Sequence, residues 1–175
     1  MKTRLLVIAV LILTAAPLLA QDFPRAQVFG GYSYLNVDTS GLAGRKGLNG
    51  WNGQATVNFN RWLGVTADFG GYYGNIAGAT VHDYSYLFGP TLTYHAEHVA
   101  PFFHALFGGN HINASGGGVS TGDSAFAYGI GGGLDIPFKS FGFRLAQVDW
   151  LRTNHFNTDQ NNVRISTGIF FQFGK

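Results

Sequence analysis

The 175-residue chain carries few side chains able to do chemistry: nine Asp and Glu, eleven Lys and Arg, six His and no Cys. Without Cys there is no thiolate nucleophile, no disulfide framework and no cysteine-ligated metal. His95, Glu97 and His98 stand together in "HAEH". That spacing falls in a turn rather than on one helix face, and a stable metal site needs further ligands. Asn113-Ala114-Ser115 matches a glycosylation acceptor by chance, and the glycine string from Gly116 to Gly118 lacks the strand-to-helix setting of a phosphate-binding loop. The charges of most interest are Asp68, Asp135 and Arg144, with Arg164 near a strand end and Asp149 if a bulge sets its phase. They lie on the polar side of alternating segments. Enclosed in a narrow space, they must pair, because a lone buried ion is costly. The expectation is a network in which Arg144 meets Asp68 or Asp135, with His104 nearby. It acts either as an electrostatic plug that fixes the surrounding structure or as a gate on a narrow ion path.

The segments that carry these residues alternate with a period of two. Asn52, Gln54, Thr56, Asn58 and Asn60 take one parity, against Trp51, Gly53, Ala55, Val57 and Phe59. Leu63, Val65, Ala67, Phe69 and Tyr73 oppose Gly64, Thr66, Asp68 and Gly70; Ile165, Thr167, Ile169, Phe171 and Phe173 oppose Arg164, Ser166, Gly168, Phe170 and Gln172. Successive strand side chains point to opposite faces, so each segment is a strand with one apolar and one polar face. Weaker alternation covers Tyr84 to Tyr94, Val99 to Gly108 and Phe126 to Asp135. Gln27 to Val37 is strand-like, with Val28, Gly30, Tyr32 and Tyr34 as its apolar set. From Phe141 to Leu151 the phase slips between Arg144 and Gln147, which a β-bulge near Ala146 explains.

These are eight strands. Their connections alternate between short (Asn60 to Trp62, His95 to His98, Ile136 to Ser140) and long (Asp38 to Gly50, Gly74 to Asp83, Asn110 to Asp123, Arg152 to Asn162). A meander with that rhythm gathers the long loops at one end and the tight turns, with both termini, at the other. Outer-membrane barrels have this layout.

Periodicity cannot say which face looks inward; bulk and charge can. The apolar parity bears large rings at strand ends, Trp51, Tyr73, Tyr84, Tyr94 and Phe173, which suit an aromatic girdle facing lipid. The polar parity is mainly Gly, Ser, Thr, Asn and Gln, side chains that fit the narrow interior of an eight-stranded barrel. A soluble barrel exposing that face would carry more Lys and Glu, and Glu occurs once, at Glu97. Gly129, Gly131 and Gly133 make room for larger neighbours in the lumen.

Aromatic residues at 15% and charged residues at 11% argue against a disordered chain. Lys2 and Arg4, the apolar run Leu5 to Leu13 and the stretch to Ala20 form a secretory signal, with the cut between Ala20 and Gln21. Residues 1–20 are thus read as a signal peptide and residues 21–175 as one barrel domain. The remainder holds nine basic and nine acidic residues, a balance without the electrostatic footprint of a nucleic-acid binder. Arg45 and Lys46 fall in the first long loop and read most simply as solvated charges, with contact to anionic lipopolysaccharide as the functional alternative.

Some eight-stranded outer-membrane barrels modify lipids. The lipid A deacylase family resembles this chain in size and carries a His-x-Ser-Asn pattern. Here His155 is followed by Phe156, Asn157 and Thr158, so the serine is missing, and His104 has no hydroxyl beside it in sequence. No catalytic residue, cofactor or metal is expected.

"VFGGYSYL" (Val28 to Leu35), "NRWLGVTADFGGYYG" (Asn60 to Gly74), "YLFGPTLTY" (Tyr86 to Tyr94), "PFFHALFGG" (Pro101 to Gly109) and "FRLAQVDWLRT" (Phe143 to Thr153) resemble the bacterial outer membrane protein β-barrel domain family, OmpA-like in its transmembrane part. The resemblance spans the whole exported chain, and the closing "ISTGIFFQF" is similar to a barrel-assembly signal. Such signals usually end on the aromatic, whereas Gly174 and Lys175 follow Phe173, and no peptidoglycan-binding domain follows from which to infer wall anchoring. The expectation is an eight-stranded antiparallel up-and-down transmembrane barrel in the outer membrane of a Gram-negative-type bacterium. Its partners are membrane lipids, lipopolysaccharide and the barrel-assembly machinery, and no particular extracellular ligand is indicated. Its role is structural or surface-interacting, with a narrow porin-like channel as the first alternative and a lipid-modifying enzyme as the second.

Overall fold

The computed structural model describes residues 23–39, 44–76, 78–155 and 158–174. The signal segment 1–20 and its cut lie outside these residues. Eight strands follow one another: β1 (Ala26–Asp38), β2 (Arg45–Asn58), β3 (Leu63–Ile76), β4 (Ala79–Thr93), β5 (Ala100–Gly116), β6 (Val119–Pro137), β7 (Phe141–His155) and β8 (Thr158–Phe173). Each pairs antiparallel with its sequence neighbour, and β1 pairs with β8 to close the barrel. Closure leaves no sheet edge to solvent along the paired length.

The wall is inside out. Val28, Tyr32, Trp51, Val57, Val65 and Phe69 are exposed, while Ser33, Asn52, Gln54, Thr66 and Asp68 are buried within. The first strand follows the expected phase, with Val28 and Tyr32 outward and Ser33 inward. The slip in β7 is a bulge: pairing with β8 shifts between Arg144 and Gln147, so that Leu145 and Ala146 both face outward and Gln147 and Asp149 return inward.

Tight turns join strands at the end that holds both described termini. Asn60 folds one of them, its side-chain oxygen accepting the backbone N–H of Trp62 (2.8 Å) and Leu63 (2.9 Å), a local bond that fixes the chain reversal.

The opposite end corrects the expected long loops. The strands continue through most of that sequence: β5 reaches Gly116 and β6 starts at Val119, so only Gly117 and Gly118 remain between them. Both have positive φ, 59° and 81°, as a two-residue hairpin turn requires. β3 and β4, and likewise β7 and β8, are also joined by two residues, and β2 begins at Arg45 rather than near Gly50. The physical reason lies inside. Leu35, Val37, Leu48, Tyr72, Val81, Leu87, Leu106 and Leu151 form an apolar cluster within the barrel, with Ile76 and Ile112 packed against it. Toward this end the inward face turns apolar and the outward face polar, as in a water-facing barrel, and an inside-out rule reads that stretch as irregular.

Candidate functional site

Below the apolar cluster, toward the tight turns, the lumen is filled by a closed ring of charged and amide side chains. Arg164 of β8 donates from Nε to Asp149 Oδ2 (2.7 Å) and from both terminal nitrogens to the two oxygens of Asp68 (2.7 and 2.9 Å). Asp68 also accepts from Gln54 (2.6 Å) and Asn52 (3.1 Å), and Asp149 from Gln147 (2.7 Å). Arg144 completes the cycle, donating from Nη1 to the side-chain oxygens of Gln54 (2.5 Å) and Gln147 (2.6 Å). Its Nε and Nη2 take Asp135 at 2.7 and 3.0 Å, and Gln27 donates to Asp135 at 2.7 Å. His104 Nε2 meets Asp149 Oδ1 at 2.6 Å. Strands β1, β2, β3, β5, β6, β7 and β8 all contribute. Beside this ring, the remaining strand, β4, is tied to β3 and β2 by a hydroxyl ladder from Thr56 to Thr66 (2.8 Å) to Thr91 (2.6 Å).

Both guanidinium groups are out of water: Arg164 is 0% exposed and Arg144 4%. Charges so placed need a full set of partners, since desolvation otherwise exceeds the Coulombic gain. Arg164 has carboxylates on both sides. Arg144 has one carboxylate, two amides and two ring faces, Phe29 and Phe102, each 4.2 Å from its central carbon. Such cation–π contacts strengthen when desolvated. Backbone thinning makes room for the cluster: a Cβ at Gly131 would stand 1.9 Å from Asp149 Oδ1, and one at Gly133 2.8 Å from the Phe102 ring. The cavity left among Gln54, Thr66, Thr91, His104, Asp135 and Arg144 is about 10 Å³, at the lower limit for one water molecule.

The network is closed at both ends. Above it stands the apolar cluster, with Leu87 and Leu106 almost fully buried. Below it, Pro24 is buried against the barrel and its carbonyl accepts Asn58 Nδ2 at 2.7 Å; the Phe23 ring lies 6.3 Å from that of His95.

Arg144 meets Asp135 and not Asp68; Asp68 is held by Arg164, which lies well inside β8 rather than near its end. Gln27, Gln54 and Gln147 are as central as the charges, and their inward parity was the one signal that could have marked them. A second polar chain went unnoticed because it fell in supposed loops: Asn110 donates to Asp83 (2.7 Å) and bonds His155 (2.6 Å), whose other ring nitrogen faces Asp123 at 3.2 Å. Arg45, also assigned to a loop, is in β2 and donates to the backbone oxygen of Asn161 at 2.8 and 3.2 Å.

The five aromatic residues assigned to a girdle fall on the outer wall. Tyr94 and Phe173 are at the tight-turn end; Tyr73 and Tyr84 pack edge to face at 5.9 Å toward the other, near Trp51. His95 Nδ1 bonds the Arg61 carbonyl oxygen at 2.9 Å, and among the described residues no cluster of His, Asp and Glu has metal-binding geometry. Among the described residues there is one His–Ser hydrogen bond, His111 Nδ1 with Ser124 Oγ at 2.8 Å across β5 and β6. Among the described residues no carboxylate bonds that ring to orient it, the third part such a unit requires.

The sequence matches the model of a family described as the outer membrane protein beta-barrel domain over residues 5–173. Among solved structures, Neisserial surface protein A is similar over 85% of this chain and 97% of its own, with 15% identity and a TM-score of 0.74. Ail, the attachment invasion locus protein of Yersinia pestis, is similar over 85% and 99%, with 21% identity and a TM-score of 0.62. The N-terminal beta-barrel domain of Pseudomonas aeruginosa OprF is similar over 86% and 98%, with 12% identity and a TM-score of 0.53. At these identities the likenesses concern the fold. No curated protein matches the chain.

Proposed function

The chain belongs to the outer membrane protein beta-barrel domain family, and from that premise we propose that it is a structural or surface-interacting wall of the outer membrane, plugged by its own side chains and without enzymatic chemistry. The observation that carries this reading is the burial of Arg164 at 0% exposure, bonded to Asp68 and Asp149 across the lumen. A conducting path would need mobile water where two guanidinium groups, three carboxylates and a histidine already satisfy one another. The network of Asp68, Asp135, Arg144, Asp149, His104 and Arg164 then acts as the electrostatic plug that fixes barrel geometry.

In this reading residues 1–20 are a cleaved export signal and residues 21–175 the inserted domain. Trp51, Tyr73, Tyr84, Tyr94 and Phe173 belong to the interfacial girdles, the tight turns face the periplasm, and lipopolysaccharide surrounds the opposite end. The barrel-assembly machinery is the partner during insertion. Planar-bilayer recording of the purified, refolded protein is the test. The expected result is no sustained open level; large, stable pores in every preparation would overturn the plugged reading and establish a channel.

A further inference from the structure

At the tight-turn end the outer wall carries a groove of about 370 Å³ between β4 and β5, bordered by Trp62, Leu92, Tyr94, Pro101 and Phe103. Its walls are mostly rings, and Leu92, Tyr94 and Phe103 are each more than half exposed. In the inside-out barrel this surface faces hydrocarbon, so an acyl chain is what covers it. The turn beside it is held rigid by the Asn60 side chain on two backbone N–H groups and by His95 on the Arg61 carbonyl. That turn presents Arg61 at the rim, its guanidinium carbon 5.1 Å from the Trp62 ring, and the Trp62 ring lies 5.2 Å from Tyr94. Among the described residues no carboxylate reaches Arg61 within ion-pair distance. A preformed apolar slot with an unneutralised cation at its mouth matches one amphiphile: a lipid with a negatively charged headgroup.

The neighbouring part of the same rim shows that such a slot is not inevitable. Phe138, Phe141 and Phe143 fill their own space, with ring centroids 5.2, 6.0 and 6.2 Å apart, although Lys139 stands beside them. A cation is therefore present at both places, but the cavity of about 270 Å³ beside Phe138 is shared with Pro24, His95, Glu97 and Gln172 rather than walled by rings.

We propose that the Arg61–Trp62 groove is a binding site for one anionic glycerophospholipid, its acyl chain lying between Trp62, Leu92 and Phe103 and its phosphate on Arg61. The proposal rests on the membrane orientation given above. Headgroup charge is the discriminating feature, since one basic residue at an anionic lipid surface shifts occupancy about five-fold.

Trp62 itself is the probe. The Trp51→Phe/Trp150→Phe variant leaves it as the sole tryptophan. It is refolded into phosphatidylcholine vesicles doped with phosphatidylglycerol or phosphatidylcholine brominated on the acyl chains, its folding checked by heat-modifiable gel mobility. Brominated phosphatidylglycerol should quench Trp62 with about five-fold higher apparent affinity than brominated phosphatidylcholine. Adding Arg61→Gln should abolish the preference, and adding Lys139→Gln should leave it. Equal quenching by the two lipids, or a preference that survives Arg61→Gln, overturns the site while leaving the orientation intact. No quenching by either lipid in the folded protein overturns the orientation and the site with it.

Discussion

Arg164 and Asp68, 96 residues apart in the chain, meet across the lumen through two parallel hydrogen bonds of 2.7 and 2.9 Å, with both side chains fully buried. They stand on β8 and β3, strands separated on the barrel wall by β1 and β2. A bond between neighbouring strands would repeat what the backbone ladder already does. This one spans the interior and ties opposite walls, and Asp149 on the same guanidinium adds β7. Bidentate geometry adds directional specificity to the pair.

Removing one partner from such a set should cost more than the set contributes as a whole. Arg164→Met leaves Asp68 and Asp149 buried without their cation, and a loss of about 3–5 kcal/mol in unfolding free energy is expected. Replacing all three, as Arg164→Met/Asp68→Leu/Asp149→Leu, should recover only part of it: the buried ions leave together, but Gln147 and His104 lose the acceptor that Asp149 gave them. Urea titration in micelles, followed by tryptophan fluorescence, reads both. A triple variant no more stable than the single one would mean that the charges themselves hold the wall.

Two glycines of the same wall type should behave oppositely. At Gly131 an added methyl meets Asp149 Oδ1 at 1.9 Å and the Val148 backbone oxygen at 2.6 Å, whereas at Gly30 it meets nothing within 4 Å. Gly131→Ala is expected to destabilise by about 1–3 kcal/mol, the range for overpacking a filled interior. Gly30→Ala should stay within about 0.5 kcal/mol of the parent, as substitutions away from packed features do. The comparison uses the same urea titration, and equal effects would remove the argument that Gly131 is present to admit Asp149.

The membrane half of this barrel was legible because lipid on one side and a narrow lumen on the other impose opposite chemistries at every second residue. Trp51 to Asn58 and Leu63 to Tyr73 declare their faces without ambiguity, and the phase slip around Ala146 revealed the bulge. The outer half was illegible for the same reason. Beyond the rings, Leu35, Leu48, Val81 and Ile112 must turn inward to form an apolar core, so the rule that reads the membrane half fails where the solvent changes. In the network, parity marked which charges enter the lumen but not which of them meet. Only the folded barrel shows that Arg164 takes Asp68 and Arg144 takes Asp135. Gln54 and Gln147 carried no charge to draw notice, yet they link the two arginine centres.

The face assignment itself can be tested with two residues of β2. Ala55 is exposed on the outer wall, paired with Val28 on one side and Ala67 on the other, among residues that face hydrocarbon. Ala55→Arg places a charge near the middle of that band and should cost about 2–4 kcal/mol. Asn58 points inward, 9% exposed, and donates to the Pro24 carbonyl at 2.7 Å. Asn58→Ala loses that one hydrogen bond, worth about 1 kcal/mol, and the aliphatic part of its side chain is small. The expected ranking is therefore Ala55→Arg well below Asn58→Ala in stability, measured by denaturant titration in phospholipid bilayers. In detergent micelles the gap should shrink, because a micelle deforms around an arginine more readily than a bilayer does. A variant set in which Asn58→Ala is the more damaging would turn the wall around, placing the rings in the interior and the amides outside.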